Sequence, residues 1–155
     1  MTADSSTLVS SPVDIAVVAS STRPGRKSRA IADWVIGEAT KTVPGVRLHL
    51  IDLVEVGLPL FDEPFPPMSG KRQNDHSHRW AELINEMDGF VFVTPEYNHG
   101  APASLKNALD YLFHEWNNKP AGFVSYGAQG GIRAVEQLRL NCAELLMPTC
   151  VQLLR

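Results

Sequence analysis

Apolar positions along this chain fall into blocks of two periods. Val13 to Ala19 (VDIAVVA) is a nearly continuous, β-branched apolar run of strand length, the pattern of a strand buried on both faces. Gly89 to Thr94 and Gly122 to Tyr126 repeat it. Val46 to Ile51 alternates instead, with Val46, Leu48 and Leu50 set against Arg47 and His49. Thr149 to Leu154 is a candidate fifth strand. Between these runs the spacing turns helical. Ala30, Ile31, Trp34, Val35 and Ala39 make one apolar face after Ser28. Trp80, Leu83, Ile84 and Met87 make a second. Leu105, Ala108, Leu109, Leu112 and Trp116 make a third, with Pro102 in a first-turn position. Val135, Leu138, Cys142, Leu145 and Leu146 make a fourth. Strand then helix, repeated, predicts an α/β fold with a parallel sheet and helices on both faces. One long irregular stretch, Asp52 to Asp75, is rich in Pro and Gly, and loops of that length are often functional.

Composition narrows the classes. The 155 residues suit one domain, 13–155, behind a short lead-in, 1–12. That lead-in carries Asp4 and no apolar core, so it does not read as a secretory signal. Net charge is −3 and the basic residues form no wide surface, which argues against a nucleic-acid partner. No run approaches the roughly 20 apolar residues of a membrane span. Cys142 and Cys150 are the only cysteines, too few for a disulfide framework and consistent with a reducing, cytoplasmic setting.

In parallel sheets of this kind ligands sit beyond the carboxyl ends of the strands. Three loops lie there. Ser20 to Ser28 (SSTRPGRKS) joins hydroxyls, backbone N–H groups, Arg23 and a helix N-terminus, which is the chemistry of a phosphate site. The plainer alternative is a helix capped by Ser28 behind a basic turn. The loop lacks both G-x-G-x-x-G and G-x-x-x-x-G-K-[ST], which excludes a dinucleotide turn and a P-loop. Thr94 to Pro102 (TPEYNHGAP) is a stiff turn suited to a planar heterocycle, or else a turn that only caps the next helix. Ser125 to Gly131 (SYGAQGG) is a glycine-rich turn opening a helix.

SSTRPGRKS, TPEYNHGAPASLKNALDYL and VSYGAQGGIRAVEQLR, in that order and spacing, resemble the NADPH-dependent FMN reductases. That flavodoxin-like family includes quinone, azo-dye and chromate reductases. The resemblance runs from Val13 to Val151. It implies a doubly wound, five-stranded parallel sheet of order 2-1-3-4-5. It also implies FMN as cofactor, with NADPH or NADH as co-substrate. By position, Ser21, Arg23 and Ser28 match the flavin-phosphate loop. Pro95, Glu96, Tyr97 and Asn98 match the turn along the isoalloxazine and ribityl chain. Ser125, Tyr126 and Gly127 match the loop at the other side of the ring. Ser20 stands where the family usually has Gly. The family also continues past the fifth strand into a final helix that has no counterpart here. The sheet face carrying either Ile15 and Val17 or Ala16 and Val18 is therefore expected to need cover from another subunit or from a longer natural chain.

The resemblance further implies electron transfer from the nicotinamide through FMN to a small acceptor: free flavin, quinone, azo compound or metal oxyanion. Homodimers or homotetramers are common in the family. No Ser-His-Asp or Cys-His set is present or needed, so no catalytic side chain is named. The alternative is a non-enzymatic flavodoxin-type electron carrier. Arg23 and the modest charge argue against it. His76 and His78 form an H-x-H without a supporting carboxylate cluster, and they read as a solvated turn rather than a metal site. Asp62 reads as a solvated turn residue, and Trp34, Trp80 and Trp116 as core packing.

Overall fold

The computed structural model describes residues 12–150. Its apolar runs become four strands: β1 (Val13–Ala19), β2 (Val46–Asp52), β3 (Gly89–Pro95) and β4 (Ala121–Tyr126). All pair in parallel, in the order β2-β1-β3-β4. The chain leaves β1 toward β2 on one side and returns to β3 on the other, so the order reverses beside β1. The loops after β1 and β3 border that crevice, where such sheets bind ligands.

The sheet has four strands among the described residues, not the expected five. Thr149 makes a single parallel bridge to Ala121, and the Cys150 N–H donates to the Ala121 carbonyl at 3.1 Å. One bridge does not make a strand, and residues 151–154 lie outside the described residues.

The helices are α1 (Ser28–Thr42), α2 (Leu53–Val56), α3 (Asp75–Asn85), α4 (Ala103–Asp110) and α5 (Ile132–Glu144). Ala16, Val18, Phe90 and Phe92 project to the face covered by α3, α4 and α5, where they meet Trp80, Ile84, Leu105, Leu109, Leu138 and Cys142. Val17, Ala19 and Val93 project to the opposite face against Ala32 of α1. Val17, not Ala16 or Val18, therefore marks the α1 face. On it, Val91, Val124 and Tyr126 are only partly buried.

Of the positions expected on apolar helix faces, Ala30, Trp34 and Leu146 are exposed. Trp34 is 60% exposed. The line from Ser28 to Ala32 faces the sheet, and a residue two positions on from Ala32 lies about 200° around the helix. Position 34 is thus turned to solvent, although its type fitted an apolar face. Leu146 lies past α5 with φ +55°, exposed rather than on the helix's buried side.

The long segment after β2 is pinned rather than loose. Asp52 accepts from the Val54 N–H at 3.0 Å and caps α2. Asn107 of α4 donates to the Pro59 carbonyl at 2.7 Å and accepts from the Phe61 N–H at 2.9 Å. The Tyr111 hydroxyl donates to Asp62 at 3.0 Å. Asp62, expected to be a solvated turn residue, also takes hydrogen bonds from Asn74 and His76. Its carboxyl is held below the usual range, chiefly by His76.

Candidate functional site

The three loops converge at the carboxyl ends of β1, β3 and β4. The first begins with Ser20, whose N–H and hydroxyl both donate to the Val93 carbonyl, at 3.1 and 2.8 Å. The side chain that departs from the family pattern is thereby turned back into the sheet. The Ser21 N–H donates to Ser28 Oγ at 3.4 Å, and the Ser21 hydroxyl shares a 2.8 Å hydrogen bond with the Tyr97 hydroxyl. Ser21 and Ser28 are both buried.

The four cations of this loop and the first turn of α1 separate into two kinds. Arg26 pairs with the buried Asp52 at 2.7 Å, and Arg29 with Glu55 at 2.8 Å and Asp33 at 3.3 Å. Burial pushes the Asp52 carboxyl up, but the Arg26 and Val54 hydrogen bonds outweigh it and the net direction is down. Arg23 and Lys27 enter no ion pair among the described residues. The Arg23 guanidinium lies 6.0 Å from the centroid of the Tyr97 ring.

Ser28 does not cap α1. It is the first helical residue, Lys27 holds the capping position without a side-chain bond, and the first turn carries no acid. Among the described residues, the positive dipole end of α1 thus has neither a capping side chain nor an acid in its first turn. The Tyr126 hydroxyl is buried near Ser28 and meets no hydrogen-bond partner among the described residues. Burial raises its pKa and the neighbouring Ser28 lowers it, with a net upward shift. A buried hydroxyl, two serines, a free guanidinium and an uncapped helix N-terminus fit a phosphate monoester.

The second loop is a closed turn. Tyr97 and Gly100 exchange backbone hydrogen bonds at 2.9 and 3.0 Å, with Asn98 at φ +48° and His99 at φ +69° between them. Two positive φ angles give it the form of a type I′ turn. Its last residue, Pro102, holds the capping position of α4 without a side-chain bond. The Glu96 N–H donates to the Tyr126 carbonyl at 3.0 Å, and Pro95 pairs with Tyr126 across β3 and β4. The Glu96 side chain turns away to α5. It accepts from the Arg133 N–H at 3.1 Å and from the Arg133 guanidinium at 2.7 Å. Burial raises its pKa, but these bonds win and the net shift is downward.

The third loop is closed by the Ser125 hydroxyl, which donates to the Gly130 carbonyl at 2.7 Å. Gly131 sits at φ +78°, and a Cβ there would come within 2.7 Å of Ser125 Cβ. Gly127 sits at φ +156°, with Glu96 Cβ 3.3 Å from where its own Cβ would be. Gly131 lets the third loop close on itself, and Gly127 lets it touch the second.

Ser21, Arg23, Ser28, Tyr97 and Tyr126 thus form one cluster, with Pro95, Glu96, Asn98, Ser125 and Gly127 on the two adjoining turns. Arg133 and Gln137 were not singled out in the sequence. Their signal is their place within the third family-like motif, in the first two turns of the helix that follows the glycines. A cavity of about 650 Å³ lies elsewhere, at the outer edge of β2 between Leu50, Val56, Trp80 and Leu83.

The family model described as NADPH-dependent FMN reductase matches residues 13–153. The chain belongs to this family. Among members of the NADPH-dependent FMN reductase family, an NAD(P)H-dependent FMN reductase of Schizosaccharomyces pombe is 45% identical over 127 residues, covering 81% of this chain. The match spans 63% of the yeast protein's own length. A quinone reductase of Pseudomonas putida is 34% identical over 151 residues, covering 90% of this chain and 74% of its own. Among solved structures, the flavoenzyme NAD(P)H:(acceptor) oxidoreductase FerB of Paracoccus denitrificans superposes with a TM-score of 0.72 at 21% identity. That likeness covers 90% of this chain and 76% of FerB, and it shows the flavodoxin-like α/β fold.

Proposed function

We propose that this protein is an FMN-dependent oxidoreductase that takes electrons from NADPH or NADH and passes them to a small-molecule acceptor, with quinones foremost. The observation that carries the reading is the uncapped α1 N-terminus, where Ser21, Ser28, the unpaired Arg23 and the partnerless Tyr126 hydroxyl meet. Family membership supports it, and so do relatives named as quinone reductase and 2-hydroxy-1,4-benzoquinone reductase.

FMN, when bound, supplies the two-electron chemistry that no side chain here can perform. The protein's part is placement. Ser21, Ser28, Arg23 and the Tyr126 hydroxyl would hold the phosphate. Pro95, Tyr97 and Asn98 would lie along the ring and ribityl chain through their backbone, on a turn already rigid. Glu96 serves that turn through α5, while Ser125 and Gly127 form the facing wall. Tyr97 must give up its bond to Ser21 wherever that hydroxyl turns to the phosphate.

The wider reading completes the picture. A fifth strand continues from Thr149 beside β4, the protein works in the cytoplasm, and it assembles as a homodimer or homotetramer. The exposed Leu60, Met68 and partly exposed Phe65 on the long segment support the assembly, which sedimentation would size. Among the described residues no helix is long and apolar enough to cross a membrane.

The test is direct. Purified protein is loaded with FMN, freed of excess, and heated; the released flavin should run as FMN on chromatography. NADPH oxidation is then followed with a panel of quinones, free flavin, an azo dye and a metal oxyanion. Rapid turnover with one acceptor supports the reductase. A flavin-loaded protein that leaves NADPH untouched would be an electron carrier.

A further inference from the structure

One helix holds the flavin-side turn at both ends. At its start, Arg133 of α5 fixes Glu96 through its backbone N–H and its guanidinium. One helical turn later, Gln137 Oε1 accepts the Ala101 N–H at 2.8 Å. Positions i and i+4 share a helix face, so Arg133 and Gln137 form one continuous contact surface. A Cβ on Gly100 would lie 2.9 Å from Gln137 Oε1, so a side chain there would make Gln137 shift. Between the two fixed points, Tyr97 and Gly100 close the turn on themselves.

The contact also manages charge. The Glu96 side chain is only 8% exposed, so water screens its negative charge poorly. Two positive elements face it: the N-terminus of α5 and the Arg133 guanidinium. Removing the guanidinium would leave a poorly compensated carboxylate on the turn that follows β3.

We propose that Arg133 and Gln137 are positioning residues of the flavin site, Gln137 fixing the turn's geometry and Arg133 neutralising Glu96 so that the site accepts the added electrons of reduced FMN. The inference rests on the FMN reading and adds two residues to it. Neither residue need touch the cofactor. Arg133 acts through Glu96, and Gln137 through the Ala101 N–H.

The two members of the ion pair must then act in opposite senses. Arg133→Gln leaves Glu96 with less compensation and penalises the more negative, reduced flavin. Glu96→Gln removes the negative charge and leaves Arg133 to favour it. The experiment titrates the full-length protein with oxidised and with reduced FMN, and measures the midpoint potential of the loaded protein. Arg133→Gln should weaken reduced FMN about tenfold more than oxidised FMN, a potential more negative by about 30 mV for a two-electron couple. Glu96→Gln should move the potential the other way, and Arg133→Lys should keep it near wild type. Gln137→Ala should weaken both oxidation states alike, about threefold to tenfold, as a purely geometric role requires.

Equal weakening of the two oxidation states by Arg133→Gln would overturn the electrostatic role, as would a potential unmoved by Glu96→Gln. Should Arg133→Gln fail to fold, the Glu96→Gln and Arg133→Lys potentials decide the matter alone. A wild-type protein that takes up no FMN overturns the underlying reading instead, and that result is distinct from every outcome above.

Discussion

Arg23 and Arg26 sit three residues apart in one loop and do different work. Arg26 is held by Asp52, whose side chain is fully buried. The Arg23 guanidinium lies near the Tyr97 ring and has no carboxylate partner among the described residues. Arg23→Ala should therefore leave folding unchanged and weaken FMN binding roughly tenfold to a hundredfold, read by flavin titration. Arg26→Ala should show the reverse order of effects, lowering the urea midpoint first because Asp52 loses its nearest cation. Tyr126→Phe separates binding from stability in another way. Deleting an unpartnered buried hydroxyl should leave the cofactor-free protein as stable or slightly more so. FMN affinity should nonetheless fall if that hydroxyl serves the phosphate. The sequence named Arg23 and Tyr126 but could not sort the four cations from Arg23 to Arg29. Sorting them depends on Asp52 and Glu55, which are distant in sequence and adjacent only once β2 lies beside β1.

Elements were legible where the pattern admitted one phase. β1 reads directly from VDIAVVA, since a run buried on both faces needs no decision about which side is wet. α1 was harder. Ile31, Ala32, Trp34, Val35 and Ile36 ring much of the helix, and only the sheet decides that Ala32 goes in and Trp34 stays out. The long segment after β2 was invisible as structure because its order comes from α3 and α4, not from its own sequence. Tyr111 is its main anchor. Burial and the Asp62 carboxylate push its phenol up to about 12. A raised pKa means the neutral hydroxyl is favoured in the folded state. Its contribution is complete below the ordinary tyrosine value near 10 and is lost as pH rises toward about 12. Protease cleavage between Gly57 and Asn74 should accelerate across that window. In Tyr111→Phe the segment should already be more easily cut at neutral pH, with the alkaline step gone.

Across the whole molecule the carboxylates tell a consistent story. Asp14, Asp52, Asp62, Glu63 and Glu96 all titrate below their ordinary range, Asp14 through hydrogen bonds from Arg47 and His49. Depressed values contribute stability that is present above the unfolded pKa and is lost as pH falls through the folded one. Stability should therefore hold to about pH 5 and drop progressively below pH 4, followed by circular dichroism during acid titration. A steep loss between pH 6 and 5 would point to histidines instead. The fold class and the three loops at the carboxyl ends of the strands were readable from sequence because strand–helix alternation and turn chemistry are local. The staple from α5 was not, because Glu96 and Arg133 lie 37 residues apart and their pairing is a property of the closed sheet.

The three tryptophans differ in a way that makes the molecule report on itself. Trp80 and Trp116 lie buried in the core, edge to face with centroids 6.0 Å apart, while Trp34 stands out from α1 in water. A soluble collisional quencher will therefore reach one indole of the three. Fluorescence of the native protein should divide into a quenchable, red-shifted fraction from Trp34 and a protected, blue-shifted fraction from the pair. The protected light follows the core as it melts. The accessible light follows the outer side of α1, the helix whose first turn borders the loop after β1, and dims or shifts whenever anything comes to rest on it.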